Sequence, residues 1–201
     1  MYRKKLITVL TLLFLSGIMV GCQMNTEKER DGHQHEKDVE TVVPTDEGGK
    51  KAHVKVTMQN TEGEKIGEAS LSQVEDGVLI SLQASHLPPG LHGFHIHEKG
   101  MCEKPTFESA GPHFNPTNKK HGFDHPEGPH AGDLPNIEVK EDGTIQVEIV
   151  AKMVTLEMGK ENSLLQDGGT SLVIHSEADD YYSQPAGNAG DRIACGVIKK
   201  E

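Results

Sequence analysis

A small, turn-rich all-β domain is what this sequence predicts, and three observations carry that reading. Apolar and polar residues alternate in short runs, 22 Gly and 10 Pro punctuate them, and no stretch of helical length shows an amphipathic period. With 201 residues, 34% of them hydrophobic and 4% aromatic, the chain can bury one core and not two.

The first strand is His53-Val54-Lys55-Val56-Thr57-Met58, which alternates cleanly. Gly67-Glu68-Ala69-Ser70-Leu71 follows, and Val78-Leu79-Ile80-Ser81-Leu82 comes after the Asp76-Gly77 turn. Ile137-Glu138-Val139 and Ile145-Gln146-Val147-Glu148-Ile149 flank Glu141-Asp142-Gly143. That spacing predicts a hairpin, because Gly accepts the positive φ of the turn. Ser171-Leu172-Val173-Ile174 and Ile193-Ala194-Cys195-Gly196-Val197-Ile198 complete the set. Two long segments, Glu98 to Leu134 and Glu177 to Arg192, are rich in Gly, Pro, Asp and His and carry no period. Long loops on a compact β scaffold are the expected seat of chemistry.

Ahead of this domain, Arg3, Lys4 and Lys5 precede the apolar run from Leu6 to Leu15. This is the layout of an export signal, and the run is too short to span a bilayer. It ends in Met19-Val20-Gly21-Cys22, which resembles a bacterial lipobox with Met in place of the usual Leu. Residues 1–21 are therefore expected to be a lipoprotein signal peptide, with Cys22 carrying lipid, palmitate included, as the mature N-terminus. Residues 22–51 are polar, with Val39, Val42 and Val43 among the few aliphatic side chains, and read as a flexible stalk. Residues 52–201 form the domain. His33 and His35 in the stalk could bind a transition metal weakly, but a solvated linker with incidental histidines is the reading this composition favours.

Lys and Arg number 20 against 31 Asp and Glu, a net charge of −11 that argues against nucleic acid as a partner. Removing Arg3, Lys4 and Lys5 with the signal takes it to −14. Histidine is the compositional outlier. Of 12, eight fall between His86 and His130, which points to metal.

In His92-Gly93-Phe94-His95-Ile96-His97 a strand would put His95 and His97 on one face and Phe94 and Ile96 on the other. Two imidazoles side by side make half of a metal site. His113, His121, His130 and Asp133 supply three nitrogens and a carboxylate, a donor set that suits tetrahedral zinc. His175, at the end of an apolar strand, could join His95 and His97, and an all-imidazole set favours copper.

Four blocks resemble the signatures of the copper/zinc superoxide dismutases: Gly93-Phe94-His95-Ile96-His97, Gly111-Pro112-His113-Phe114-Asn115-Pro116, His130-Ala131-Gly132-Asp133-Leu134, and the run from Gly187 to Ile198. The resemblance extends from about His53 to Lys199 and is of the bacterial lipoprotein type. It implies an eight-stranded Greek-key β-barrel with two long functional loops. It makes His95, His97, His113 and His175 the copper ligands and His113, His121, His130 and Asp133 the zinc ligands, so that His113 bridges the two metals. It makes Asp179 the carboxylate that links His95 and His121, pairs Cys102 with Cys195 in a disulfide, and sets Arg192 above the copper to receive the superoxide anion. Export suits a disulfide, and lipid on Cys22 accounts for the odd cysteine.

The resemblance implies a reaction in which one superoxide reduces copper and leaves as dioxygen while His113 lets go of copper and takes a proton. A second superoxide then reoxidises copper, and His113 gives one of the protons of hydrogen peroxide. His113 and Arg192 are thus the expected catalytic residues, and the product protects the cell exterior. His92 matches a structural histidine behind the copper strand, while His53, His86 and His125 match no role and are expected to be exposed or locally bonded. Asp124 and Asp180 are expected as solvated charges.

Two departures favour the bacterial branch: the insertion Glu103-Lys104-Pro105-Thr106-Phe107-Glu108, and the absence of a Glu/Lys-rich steering stretch between Asp180 and Ala186. They leave the oligomer open between monomer and homodimer. Two other readings compete. A surface lipoprotein that buffers copper and zinc would share the fold but has no need of Arg192, and a zinc hydrolase would need a helical H-E-x-x-H pattern that is lacking.

Overall fold

The computed structural model describes residues 52–200. The export signal, Cys22, the stalk and His33 and His35 lie outside the described residues.

The strands are β1 (His53–Asn60), β2 (Lys65–Val74), β3 (Gly77–Ala84), β4 (Gly90–His92), β5 (Phe94–His97), β6 (Ile137–Val139), β7 (Ile145–Ala151), β8 (Thr170–His175) and β9 (Arg192–Ile198). Seven form one antiparallel sheet in the order β5-β8-β9-β1-β2-β3-β7, and β4 pairs with β6. Because β4 runs into β5 with a break at Gly93, the nine segments amount to the eight strands expected. That break lets one run of chain serve both sheets. β6 in turn packs against β7, so the ends of the large sheet are linked through β4 and β6.

Alternation decides which side chains enter. In β1, Val54, Val56 and Met58 are buried while His53, Lys55 and Thr57 are exposed. Leu71, Ile80, Leu82, Phe94, Ile96, Leu172, Ile174 and Ile198 join them in one apolar core, each contributing about 1.5–3 kcal/mol on burial. His95 and His97 leave β5 on the face opposite Phe94 and Ile96, so core and site share one strand.

Three features differ from the expectation. The turn at Glu141-Asp142-Gly143 forms, with Gly143 at φ 76° and Asp142 Oδ1 accepting from Thr144 N (3.0 Å). Its flanking strands nevertheless part company, β6 pairing with β4 and β7 with β3, because closing the barrel recruits each to a different neighbour. β4 is three residues long, too short to show a period. A third long connection, residues 152–169, joins β7 to β8. It is anchored by buried Leu156 and Leu164 and by Gln73 Oε1, which accepts from Leu156 N (2.7 Å) and Thr155 Oγ1 (2.9 Å).

Cys102 and Cys195 form the expected disulfide across a sequence separation of 93. In chain-entropy terms closing so long a loop is worth on the order of 4 kcal/mol. The bridge packs with Phe107, Ala110 and Val173 in a second small apolar cluster, so the inserted segment is pinned to β9.

Candidate metal centre

Three stretches of chain bring the site together. β5 supplies His95 and His97. The loop that follows returns alongside β5, with Ile96 N donating to Gly132 O (2.8 Å) and Phe114 N to Ile96 O (2.8 Å). This sets Asp133 opposite His95 and His113 opposite His97. β8 ends at His175, where a register shift pairs it with Arg192 of β9, so a cation is placed beside the imidazoles by the ladder itself.

Two groups of donors result. His95, His97, His113 and His175 each offer an atom within 4.8 Å of the others, and His113, His121, His130 and Asp133 do the same. All seven side chains are at most 9% exposed. Which nitrogens face inward follows from where the other nitrogens are spent. His95 Nε2 donates to Asp179 Oδ2 (2.7 Å) and His97 Nδ1 to Gly111 O (2.8 Å). That leaves His95 Nδ1 without a partner and brings His97 Nε2 to 3.4 Å from His175 Nε2. His113 Nε2 is likewise buried and unpartnered, while its Nδ1 lies 2.8 Å from Asp133 Oδ1.

On the other side, His121 Nδ1 and His130 Nδ1 lie 3.1 and 3.2 Å from the same Asp133 oxygen, yet neither makes a hydrogen bond. Buried nitrogens without partners are rare and costly, and four of them, drawn from two compact groups of donors, fit bound cations. The donor chemistry separates the two: three imidazoles and a carboxylate suit zinc, four imidazoles suit copper. His113 belongs to both groups, one ring nitrogen in each.

Electrostatics sets the charge of these donors. Burial, with mutual repulsion among the histidines, holds His113 and His175 down at about 4, and burial also lowers His95 and His97. Burial would lower His121 too, but Asp133 and Asp179 outweigh it and raise it to about 9. Burial would raise Asp133 and Asp179, yet the surrounding imidazoles hold both carboxyls well below the usual range. Asp133 Oδ2 also accepts the N–H groups of Gly122 and His130 (2.9 Å each).

Asp179 joins the halves, taking His95 Nε2 on one oxygen and His121 Nε2 on the other (3.0 Å). Such links fix tautomer and ring orientation. Gly187 (φ 68°) is required beside it, since a Cβ there would overlap Asp179 Oδ1. Arg192 is half-buried; its Nη1 donates to Phe107 O (2.7 Å) and its Nη2 to Gly111 O (2.8 Å). Gly111 O thus serves both Arg192 and His97.

The remaining assignments divide. His92 is buried behind the site, its ring nitrogens facing His175 O (2.7 Å) and Pro88 O (2.8 Å). His53, His86 and His125 bond only to near or exposed neighbours, and Asp124 is exposed. Asp180 is exposed but not merely solvated, for it accepts from Tyr182 N, Ser183 N and Asn188 Nδ2. Two contributors were missed. Asn136 clasps the main chain of Asp179, accepting its N–H (2.8 Å) and donating to its carbonyl (2.9 Å), and Phe107, left-handed at φ 55°, aims its carbonyl at Arg192. Neither carries a signal in a single sequence, since both act through main-chain atoms far away in the chain.

The pattern of the family copper/zinc superoxide dismutase (SODC) matches residues 65–198. A superoxide dismutase [Cu-Zn] of Aquifex aeolicus is 59% identical over 141 residues, 70% of this chain and 83% of its own. The superoxide dismutase-like protein YojM of Bacillus subtilis is 41% identical over 200 residues, 98% of this chain and 96% of its own. Among solved structures, the Cu/Zn superoxide dismutase of Brucella abortus superposes with a TM-score of 0.60 at 31% identity, over 73% of this chain and 99% of its own. The chain belongs to the copper/zinc superoxide dismutase family, whose cofactors are copper and zinc, and is of the bacterial type.

The imidazole charges predict different proton stoichiometries. If the group of His113, His121, His130 and Asp133 takes zinc, His121 must bind in its neutral form, whereas in the metal-free chain, raised to about 9, it is protonated at pH 7. Loading the metal-free protein with zinc at pH 7 should therefore release about one proton from His121, fading above pH 9, whereas copper meets imidazoles that are already neutral and should release almost none. Calorimetry in buffers of different ionisation enthalpy checks this, and equal release by both metals would contradict it.

Proposed function

We propose that superoxide dismutation, the activity of this family, runs through His95, His97, His113 and His175 as copper ligands, with zinc held by His113, His121, His130 and Asp133. The observation that carries the reading is His113, a buried imidazole with one nitrogen in each donor group. The overall reaction takes two superoxide anions and two protons to one dioxygen and one hydrogen peroxide.

When bound, copper supplies the one-electron couple that accepts an electron from one superoxide and returns it to the next, and zinc supplies fixed positive charge. The protein does the rest. His95, His97 and His175, kept neutral by burial, present lone pairs without competition from protons. Arg192 spends two of its N–H groups on Phe107 O and Gly111 O, which fixes the guanidinium and leaves the others to offer an anion charge-assisted hydrogen bonds. His113 Nε2 is the atom suited to carry a proton, because Nδ1 stays with Asp133. Since the chain is acidic overall, capture of an anion relies on the local field around Arg192 and the site, within about a Debye length.

Residues 1–21 serve as the export signal in this reading, Cys22 as the lipidated N-terminus, residues 22–51 as the stalk, and residues 52–201 as the enzyme on the outer side of a bacterial membrane. The charge and apolar layout of the leader supports this, as do the disulfide, a bond that persists in oxidising compartments, and a B. subtilis relative alignable along 98% of the chain. A Cys22→Ala protein should lose palmitate labelling and leave the membrane fraction; one that stays membrane-bound would contradict the anchor.

The direct test is superoxide decay, followed by fast spectrophotometry, with protein loaded with both metals. The second-order constant should approach about 10⁸–10⁹ per molar per second. Arg192→Ala should lower it about 10- to 100-fold, the weight of a charge-assisted hydrogen bond, and His97→Ala should abolish it. Decay no faster than with the zinc-only protein would favour a metal buffer on the same fold.

A further inference from the structure

We propose that Gln184 is a positioning residue for His121, and that the short 177–191 segment acts through it as a strap over the zinc-type group. The proposal rests on the metal reading above.

His121 is the member of that group that the barrel does not hold. His113 and Asp133 are tied into β5 by bridges, and His130 lies three residues before Asp133. His121 sits in an irregular stretch with no strand beside it, although its side chain is fully buried. Among the described residues its main-chain groups find one partner, the side-chain amide of Gln184. His121 N donates to Gln184 Oε1 (3.0 Å) and Gln184 Nε2 donates to His121 O (2.9 Å). A planar amide that accepts and donates in parallel does for His121 what a neighbouring strand does for a ladder residue, fixing distance and orientation together. Gln184 Nε2 donates also to Tyr182 O (3.0 Å), which folds the amide onto its own segment.

The same segment grips His121 at its other end. The ring donates from Nε2 to Asp179 Oδ1, so Asp179 and Gln184, five residues apart, hold the imidazole and the main chain of one ligand. The approach is built in on both sides. Asp124 N donates to Tyr181 O (3.0 Å), and Gly122, at φ 98°, faces that oxygen so closely that a Cβ would overlap it. Three of the four donors are tied to β5, and the chain at His121 reaches them through Gly122 N, which donates to Asp133 Oδ2 (2.9 Å), so Gln184, together with the Asp124 N bond to Tyr181 O, is what keeps His121 in register with the second loop.

The test compares the full chain with its Gln184→Met and Gln184→Glu variants, all stripped of metal. Met keeps the length of the side chain and removes both bonds; Glu keeps an acceptor and offers no donor to the His121 carbonyl. Zinc and copper dissociation constants come from chelator competition, and cobalt(II) absorption reports the geometry of the zinc-type group. Thermal unfolding of the metal-free chains confirms that each variant folds. Both variants should loosen zinc on the order of 10- to 100-fold, as loss of a ligand's outer support does, alter the cobalt bands, and change copper affinity by less than about threefold. Zinc affinity within about twofold of the parent, or equal loosening of both metals, overturns the proposal alone. A parent chain that takes up no zinc overturns the metal reading, and this proposal with it.

Discussion

A single buried imidazole, His113, constrains everything around it. Its Nδ1 lies with Asp133 and its Nε2 among His95, His97 and His175, so neither donor group can be placed without the other. Six histidines and two aspartates are packed there with little access to water. Four of their nitrogens lack partners, and each such atom costs about 1–3 kcal/mol when left unpaired. An apolar core of the same volume would be easier to fold. The arrangement makes physical sense when cations complete it, and metal binding then becomes part of the folding free energy.

The barrel provides the rigidity that this requires. β5 turns Phe94 and Ile96 into the core and His95 and His97 into the site, so the site inherits the stiffness of close-packed side chains. The β8–β9 ladder places His175 and Arg192 side by side. The disulfide pins the inserted segment onto β9, and Phe107 within that segment gives Arg192 one of its two carbonyl partners. Gly111 O accepts from both Arg192 and His97, so the residue proposed to receive the anion and a proposed copper ligand share one acceptor. Displacing the loop at that point would disturb both side chains together.

Much of this was legible in the residues. Period-two alternation located most of the strands, because burial on one face leaves a direct trace in the sequence. The donor groups were legible through ligand chemistry and through the blocks that resemble the family, and Asp179 and the disulfide only through the wider resemblance that those blocks establish. The rest was hidden for identifiable reasons. β4 is shorter than any period, and β6 and β7 flank a good turn signal yet part, since partner choice is a tertiary matter. Asn136 and Gln184 act on the main chain of Asp179 and His121, 43 and 63 residues away, and no local pattern encodes such a contact. The left-handed backbone of the fully buried Phe107 contradicts its residue preference.

The shared imidazole is the central claim, and crystals of the protein loaded with copper and zinc test it most directly. Anomalous diffraction at the two absorption edges should locate copper among His95, His97 and His175, zinc among His121, His130 and Asp133, and the ring of His113 between them with one nitrogen on each. A single ion, or a His113 that touches only one of two, would contradict it.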